Sequence, residues 1–181
     1  MFSKLDLLKP EFKKQVLLLL QACAEKGIIM NPWETMRTPV RQAKLWKQSR
    51  NNEEIQNKID YLQSNNAEFL ALCLEKAIPR PLKQICTNAL PGLSWHQWGE
   101  AIDCCWIVGD NPVWDLDTKI NGVNGFEIYA NEAKKLGLES GLFWNIKDAT
   151  HVQMRNTGNP EDLFSLQYIN DLMASQFKIK H

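Results

Sequence analysis

No stretch of this sequence is apolar for long enough to cross a membrane. The longest apolar run near the N-terminus, Val16 to Leu20, stops at polar Gln21. A secretory core needs about 7–15 apolar residues and a spanning helix about 20. The expectation is synthesis in the cytoplasm, with any export by another route. Charge of one sign is also missing. The 21 Lys and Arg balance 21 Asp and Glu, and no basic run exceeds two residues. A nucleic-acid binder needs a basic stripe, so no nucleic-acid partner is expected. The five cysteines, Cys23, Cys73, Cys86, Cys104 and Cys105, have no CxxC spacing. That argues against a thiolate zinc knuckle or a thioredoxin-like motif and leaves buried free thiols. A nucleotide enzyme is unsupported, because neither GxGxxG nor a P-loop occurs. Nothing in the sequence sets an oligomeric state.

What is present suits one domain. The 181 residues are 44% hydrophobic, enough to bury a core. Pro10 opens a helical pattern through Phe12, Val16, Leu19, Leu20 and Cys23, with Gly27 placed to end it. Ile28 to Met30 reads as a strand running towards Arg37. Thr38 is an N-cap followed by first-turn Pro39, starting a helix through Gln42, Leu45 and Trp46. Two more helical patterns follow, Ile55-Ile59-Leu62 and Phe69-Leu70-Cys73-Leu74, ended by Pro79 and Pro81. Gly99 to Val108 suits a strand with Ala101, Asp103 and Cys105 on one face. Asn124 is placed to cap a helix through Phe126, Tyr129, Ala133 and Leu136, closed by Gly137. His151 to Met154 reads as a short strand. Asn159-Pro160-Glu161-Asp162 opens a last helix, with Leu163, Phe164, Tyr168, Ile169 and Leu172 inward. Helices at both ends with short strands between them predict an α+β fold with a small antiparallel sheet.

Only three histidines occur. His96 lies in Ser94-Trp95-His96-Gln97-Trp98-Gly99-Glu100-Ala101-Ile102-Asp103. Zinc takes imidazole nitrogen and carboxylate oxygen, and a catalytic ion takes three protein ligands with one position left open. His96 and Asp103 converge if Gly99 lets the chain fold back, and His151 is the internal histidine left to complete the set. His181, the last residue, is expected to fray. Asp148, three residues before His151, would sit beside such a metal, placed to take a proton from an attacking water. Arg37 would present a fixed charge to an oxyanion. Each residue also has a plain reading: His96 packed among tryptophans, Asp103 an internal acceptor, Asp148 a turn cap, Arg37 a surface ion-pair partner, and Ser94 a turn residue.

The segment Ser94 to Asp103 resembles the SxHxxGxAxD signature of the D-alanyl-D-alanine carboxypeptidase family of zinc peptidases. That family includes VanY-like carboxypeptidases and phage L-alanyl-D-glutamate endolysins. Further pieces are similar in the family's order: Arg37-Thr38 with Gln42, Leu45 and Arg50; Thr87-Asn88-Ala89 and Pro91-Gly92; Leu136-Gly137-Leu138, Gly141 and Trp144; and Asp148-Ala149-Thr150-His151 as DxxH. The likeness runs from about Leu8 to Gln153. It implies the α+β zinc-peptidase fold shared with hedgehog signalling domains. It also implies Zn2+ held by His96, Asp103 and His151, Asp148 as acid/base, and Arg37 as the group that polarises the carbonyl. Ser94 matches a site serine that contacts substrate or supports the ligands.

By that resemblance the expected activity is hydrolysis of peptidoglycan stem-peptide bonds, at the L-alanyl-D-glutamate bond by preference. The alternatives are a D,D-carboxypeptidase removing terminal D-alanine, and a non-catalytic zinc-bearing module that binds cell wall or protein. The expected organisation is a single domain over residues 1–181. It departs from the endolysin pattern in a helical insertion at about 51–85, which replaces a short glycine-containing loop.

Overall fold

The structure is a computed structural model that describes residues 4–79 and 86–178. Pro81 and His181, read above as a helix stop and a frayed end, lie outside the described residues. Two compact units emerge. One joins the residues up to Met36 to Trp98–Asn156, and the other joins Arg37–Gln97 to the residues from Thr157 on.

In the first unit Pro10 sits in the first turn of α1 (Pro10–Ala24), where its missing N–H costs nothing. β1 (Ile29–Glu34), β2 (Ala101–Val108), β5 (His151–Gln153) and β4 (Glu139–Ser140) form an antiparallel sheet in that order, and β3 (Asn111–Val113) also pairs with β2. α5 (Gly125–Lys135) begins where the Asn124 side chain accepts from the Phe126 and Glu127 N–H groups. Phe12, Val16, Leu19 and Cys23 of α1 and Phe126, Tyr129 and Ala133 of α5 bury a core against Met30, Ile102, Cys104, Trp106 and Val152. The period of two then puts Ala101, Asp103 and Cys105 on the other face of β2, as the sequence predicts. The small antiparallel sheet flanked by helices is the α+β architecture expected. β3 and β4 were not anticipated.

The second unit is helical: α2 (Pro39–Lys47), α3 (Asn52–Ser64), α4 (Glu68–Lys76) and α6 (Leu166–Gln176). Thr38 caps α2 by accepting from Arg41 N, and Asn51 with Glu54 forms a capping box on α3. Ala67 cannot cap α4, so Asn170 of α6 does it from a distance. Its Oδ1 accepts from Phe69 N at 2.8 Å and Leu70 N at 3.3 Å. At the other end Lys47 Nζ donates to the carbonyls of Leu74 and Ala77, as a cation at a helix C-terminus should.

The last helix differs from its prediction. Asn159 caps only a short 3-10 turn, Pro160–Asp162, and Ser165 supplies a second cap from which α6 starts. The later start sets the helix phase. Leu166, Ile169, Asn170 and Met173 face inward, whereas Leu163 and Tyr168 are about half exposed.

Asn170→Ala strips the acceptor from two N–H groups at the start of α4. It should lower stability by about 1–2 kcal/mol, the usual cost of a lost cap. Urea denaturation checks this; an unchanged midpoint would show that Asn170 does not hold α4.

Candidate active site

In the first unit, antiparallel pairing sets Asp103 of β2 directly opposite His151 of β5. The histidine Nδ1 lies 3.1 Å from Asp103 Oδ1. Its other ring nitrogen, Nε2, lies 3.1 Å from Gln153 Oε1. The Gln153 amide has one orientation here, because its Nε2 donates to the Arg155 carbonyl at 2.6 Å. His151 Nε2 must therefore donate to Gln153, which leaves Nδ1 facing a carboxylate. Positive charge is favoured at that position. Burial alone would push the His151 pKa down, but the Asp103 hydrogen bond and charge, helped by Asp148 and Gln153, raise it.

Arg155 is itself fixed. Its guanidinium donates to both oxygens of Glu100, at 2.5 and 3.1 Å, and Lys9 donates to the same carboxylate at 2.5 Å. Glu100 is almost fully buried. Burial alone would raise its pKa, but the hydrogen bonds and charges of Arg155 and Lys9 outweigh it and hold the carboxyl below its usual value. Gly99, just before, has φ +67, and a Cβ there would meet Leu7 O and Lys9 N at 3.2 Å. Gly99 thus takes a left-handed backbone conformation and a close approach that favour glycine.

Asp148 stands where the DxxH spacing predicts, one turn before His151, whose N–H donates to the Asp148 carbonyl at 3.2 Å. Its exposed carboxylate accepts from Thr150 Oγ1 at 2.9 Å. The loop that carries it closes on Gly141: Asp148 N donates to Gly141 O at 2.9 Å. A Cβ on Gly141 would come within 2.4 Å of the Asp148 carbonyl oxygen, so no side chain fits. Trp144 of this loop lies against His151, ring centroids 5.1 Å apart, and its Nε1 donates to Glu139. An open hollow of about 470 Å3 borders Trp144, lined also by Glu127, Asn131, Leu142, Phe143 and Lys147. A larger one of about 570 Å3, among Lys26, Ile128, Asn131, Glu132 and Lys135, holds none of the candidate site residues.

In the second unit, Arg37 and His96 are joined by their backbones, Arg37 N donating to His96 O at 3.2 Å. Both are buried. His96 sits in a 3-10 turn, Trp95–Trp98, and its N–H lies 3.4 Å from Ser94 Oγ, so the serine supports the histidine's backbone. Arg37 Nη1 donates to Gln42 Oε1 at 2.9 Å. Gln42 is fully buried; it also receives Gln97 Nε2 and donates to Ala89 O and Thr87 Oγ1. Arg37 lies past the end of β1, in the link to α2, and is held by this amide network.

Gln153, Glu100 and Gln42 carry the orientation of the chemical groups, and sequence reasoning assigned a role to none of them. Gln42 was visible only as part of the arginine segment. A buried amide that serves as a hub leaves no periodic trace.

The family VanY, D-alanyl-D-alanine carboxypeptidase, matches residues 5–156. The chain therefore belongs to this family of peptidoglycan peptidases. Among solved structures it is similar to the L-Ala D-Glu endopeptidase ChiX of Serratia marcescens, with 14% identity, 84% of each chain covered and a TM-score of 0.43. No curated protein matches. Among the described residues no helix is long and apolar enough to cross a membrane.

Gly141→Ala forces a methyl group onto the Asp148 carbonyl. It should cost about 1–3 kcal/mol of stability, the usual range for overpacking, and displace the turn that carries Asp148 and His151. Thermal denaturation together with turnover checks this, and wild-type values in both would contradict the tight packing described.

Proposed function

We propose that this protein is a zinc-dependent peptidoglycan endopeptidase that cuts the L-alanyl-D-glutamate bond of the stem peptide. His96, Asp103 and His151 are the metal ligands in this reading. The observation that carries it is the His151 ring, with one nitrogen satisfied by an oriented glutamine and the other turned to a carboxylate. Metal-bound histidines are oriented in this way by a partner on the far nitrogen. Two imidazoles and one carboxylate, each offering one ligand atom, are a donor set that could hold a metal ion. It is also a set that suits zinc with one position left open. A zinc ion held there supplies Lewis acidity towards the scissile carbonyl and acidifies the attacking water.

The chain's own residues supply the rest. Asp148, exposed and fixed by the Gly141 closure, accepts the proton of the attacking water and passes it to the leaving amine. Arg37, its guanidinium held by Gln42, stabilises the oxyanion that develops on the carbonyl. Ser94 positions His96 through the backbone. A module that only bound the wall would need neither Asp148 nor Arg37. The whole chain is proposed to be one peptidase domain, with the segment at about 51–85 as an insertion.

The endolysin-like pieces outside the signature, the α1 segment, Arg37 with Gln42, and Gly137 to Trp144, favour an internal bond over a terminal one. Mass spectrometry of digested muropeptides separates the two. Release of fragments ending in L-alanine is expected; loss of one alanine from pentapeptide, with the L-alanyl-D-glutamate bond intact, would establish a D,D-carboxypeptidase. No cleavage at all by zinc-loaded protein would leave the binding module.

Asp148→Asn should keep zinc and fold but lose turnover by ~10²–10⁴-fold, the usual contribution of a positioned general base. Zinc content by elemental analysis, read beside the rate, checks this. Loss of the metal together with the activity would make Asp148 a structural or ligating residue.

A further inference from the structure

The sheet face that carries Asp103 extends to an exposed aromatic pair. Trp106 of β2 pairs with Met30 on one edge and with Val113 on the other, so β1 and β3 flank the same stretch of β2. Trp33 of β1 and Trp114, just after β3, meet in a T-shaped contact with ring centroids 5.1 Å apart. They are 54% and 44% exposed, while Cys105 of the intervening strand is buried. The register of β1 on β2 slips between Pro32 and Glu34, and Glu34 stands opposite Asp103. Trp33 is thus the extra residue of a β-bulge beside Asp103, and bulges re-aim side chains next to functional sites. Lys4 fastens the bulged residue from outside, donating to the Trp33 carbonyl at 2.8 Å with its Nζ 5.3 Å from the ring. Two indoles locked together in water present large, rigid, apolar surface at low cost in conformational freedom.

We infer that the Trp33–Trp114 pair is a sugar platform that seats the pyranose ring of the glycan bearing the stem peptide. This rests on the peptidoglycan reading above and adds a specificity element to it. The C–H face of a pyranose is apolar and stacks on an indole, while its hydroxyl and acetamido edges stay in water. Distance then selects the bond. Adjacent strands lie ~4.8 Å apart, which puts the Trp33 indole within about 10 Å of the Asp103 carboxylate. The L-alanyl-D-glutamate bond lies one residue plus a lactyl link from the sugar ring, on the order of 7–8 Å. The terminal bond of a pentapeptide lies four residues plus the same link away, roughly 17–18 Å when extended. A sugar seated on this pair presents the first bond to the metal ligands and leaves the last one beyond them.

The test uses the zinc-loaded full chain and two substrates, a disaccharide-linked stem peptide and the same peptide without sugar. The ratio of their kcat/KM values is expected to favour the sugar-linked substrate by roughly tenfold or more, the order of one aromatic stacking contact. In W33A/W114A that ratio should fall to near one, and W33F/W114F should restore part of it. A ratio near one in the wild type, or one unchanged in W33A/W114A, overturns the proposal. Indole N–H NMR signals during titration with the peptide-free disaccharide keep the test separate from catalysis. Saturable shifts of the Trp33 and Trp114 signals, lost in W33A/W114A, support the platform even if no peptide is cut. Folded wild-type protein with no shifts rules it out.

Discussion

In the first unit the His151 ring is held between two oxygens, Asp103 Oδ1 and Gln153 Oε1. His151 Nε2 donates to Gln153 because the glutamine amide is turned by the Arg155 carbonyl, and its Nδ1 then faces Asp103. Arg155 is in turn fixed by Glu100, a buried carboxylate shared with Lys9. The chain of contacts runs from an ion-paired anchor at the start of β2, through β5, to the ring. Such a chain over-determines the ring's orientation. The sheet contributes the remainder: antiparallel register sets Asp103 opposite His151 without help from any loop.

Asp148 and Arg37 are held by different devices. Asp148 depends on backbone closeness, since Gly141 leaves no room for a side chain beneath its carbonyl. Arg37 depends on a buried amide, Gln42, that has used up its other hydrogen bonds on Ala89, Thr87 and Gln97. Backbone packing in one case and a hydrogen-bonded amide in the other set the position of the group in advance.

The legible parts of the fold were those with local causes. Pro10, Thr38-Pro39 and Asn124 announce helix starts through the chemistry of the first turn, and the structure places helices there. Alternation along β2 put Asp103 on the face opposite the core. The turn that joins Asp148 to His151 follows from the DxxH spacing. Parts with distant causes were not legible. β3 and β4 are two or three residues long and exist because β2 and β5 offer free edges. The phase of α6 was misread because Asn159 and Ser165 are both good caps, and only packing decides which one starts the α-helix. Asn170, Gln153 and Glu100 act on partners far away or on the far side of the His151 ring, where sequence spacing carries no signal.

We propose that His96, Asp103 and His151 share one zinc ion. Anomalous X-ray diffraction at the zinc edge, on crystals of the purified protein grown with stoichiometric zinc, tests it most directly. A single peak within ~2.0–2.2 Å of a His96 nitrogen, an Asp103 oxygen and His151 Nδ1 is the expected result. A peak bound elsewhere, or none at these residues in well-ordered density, would contradict it.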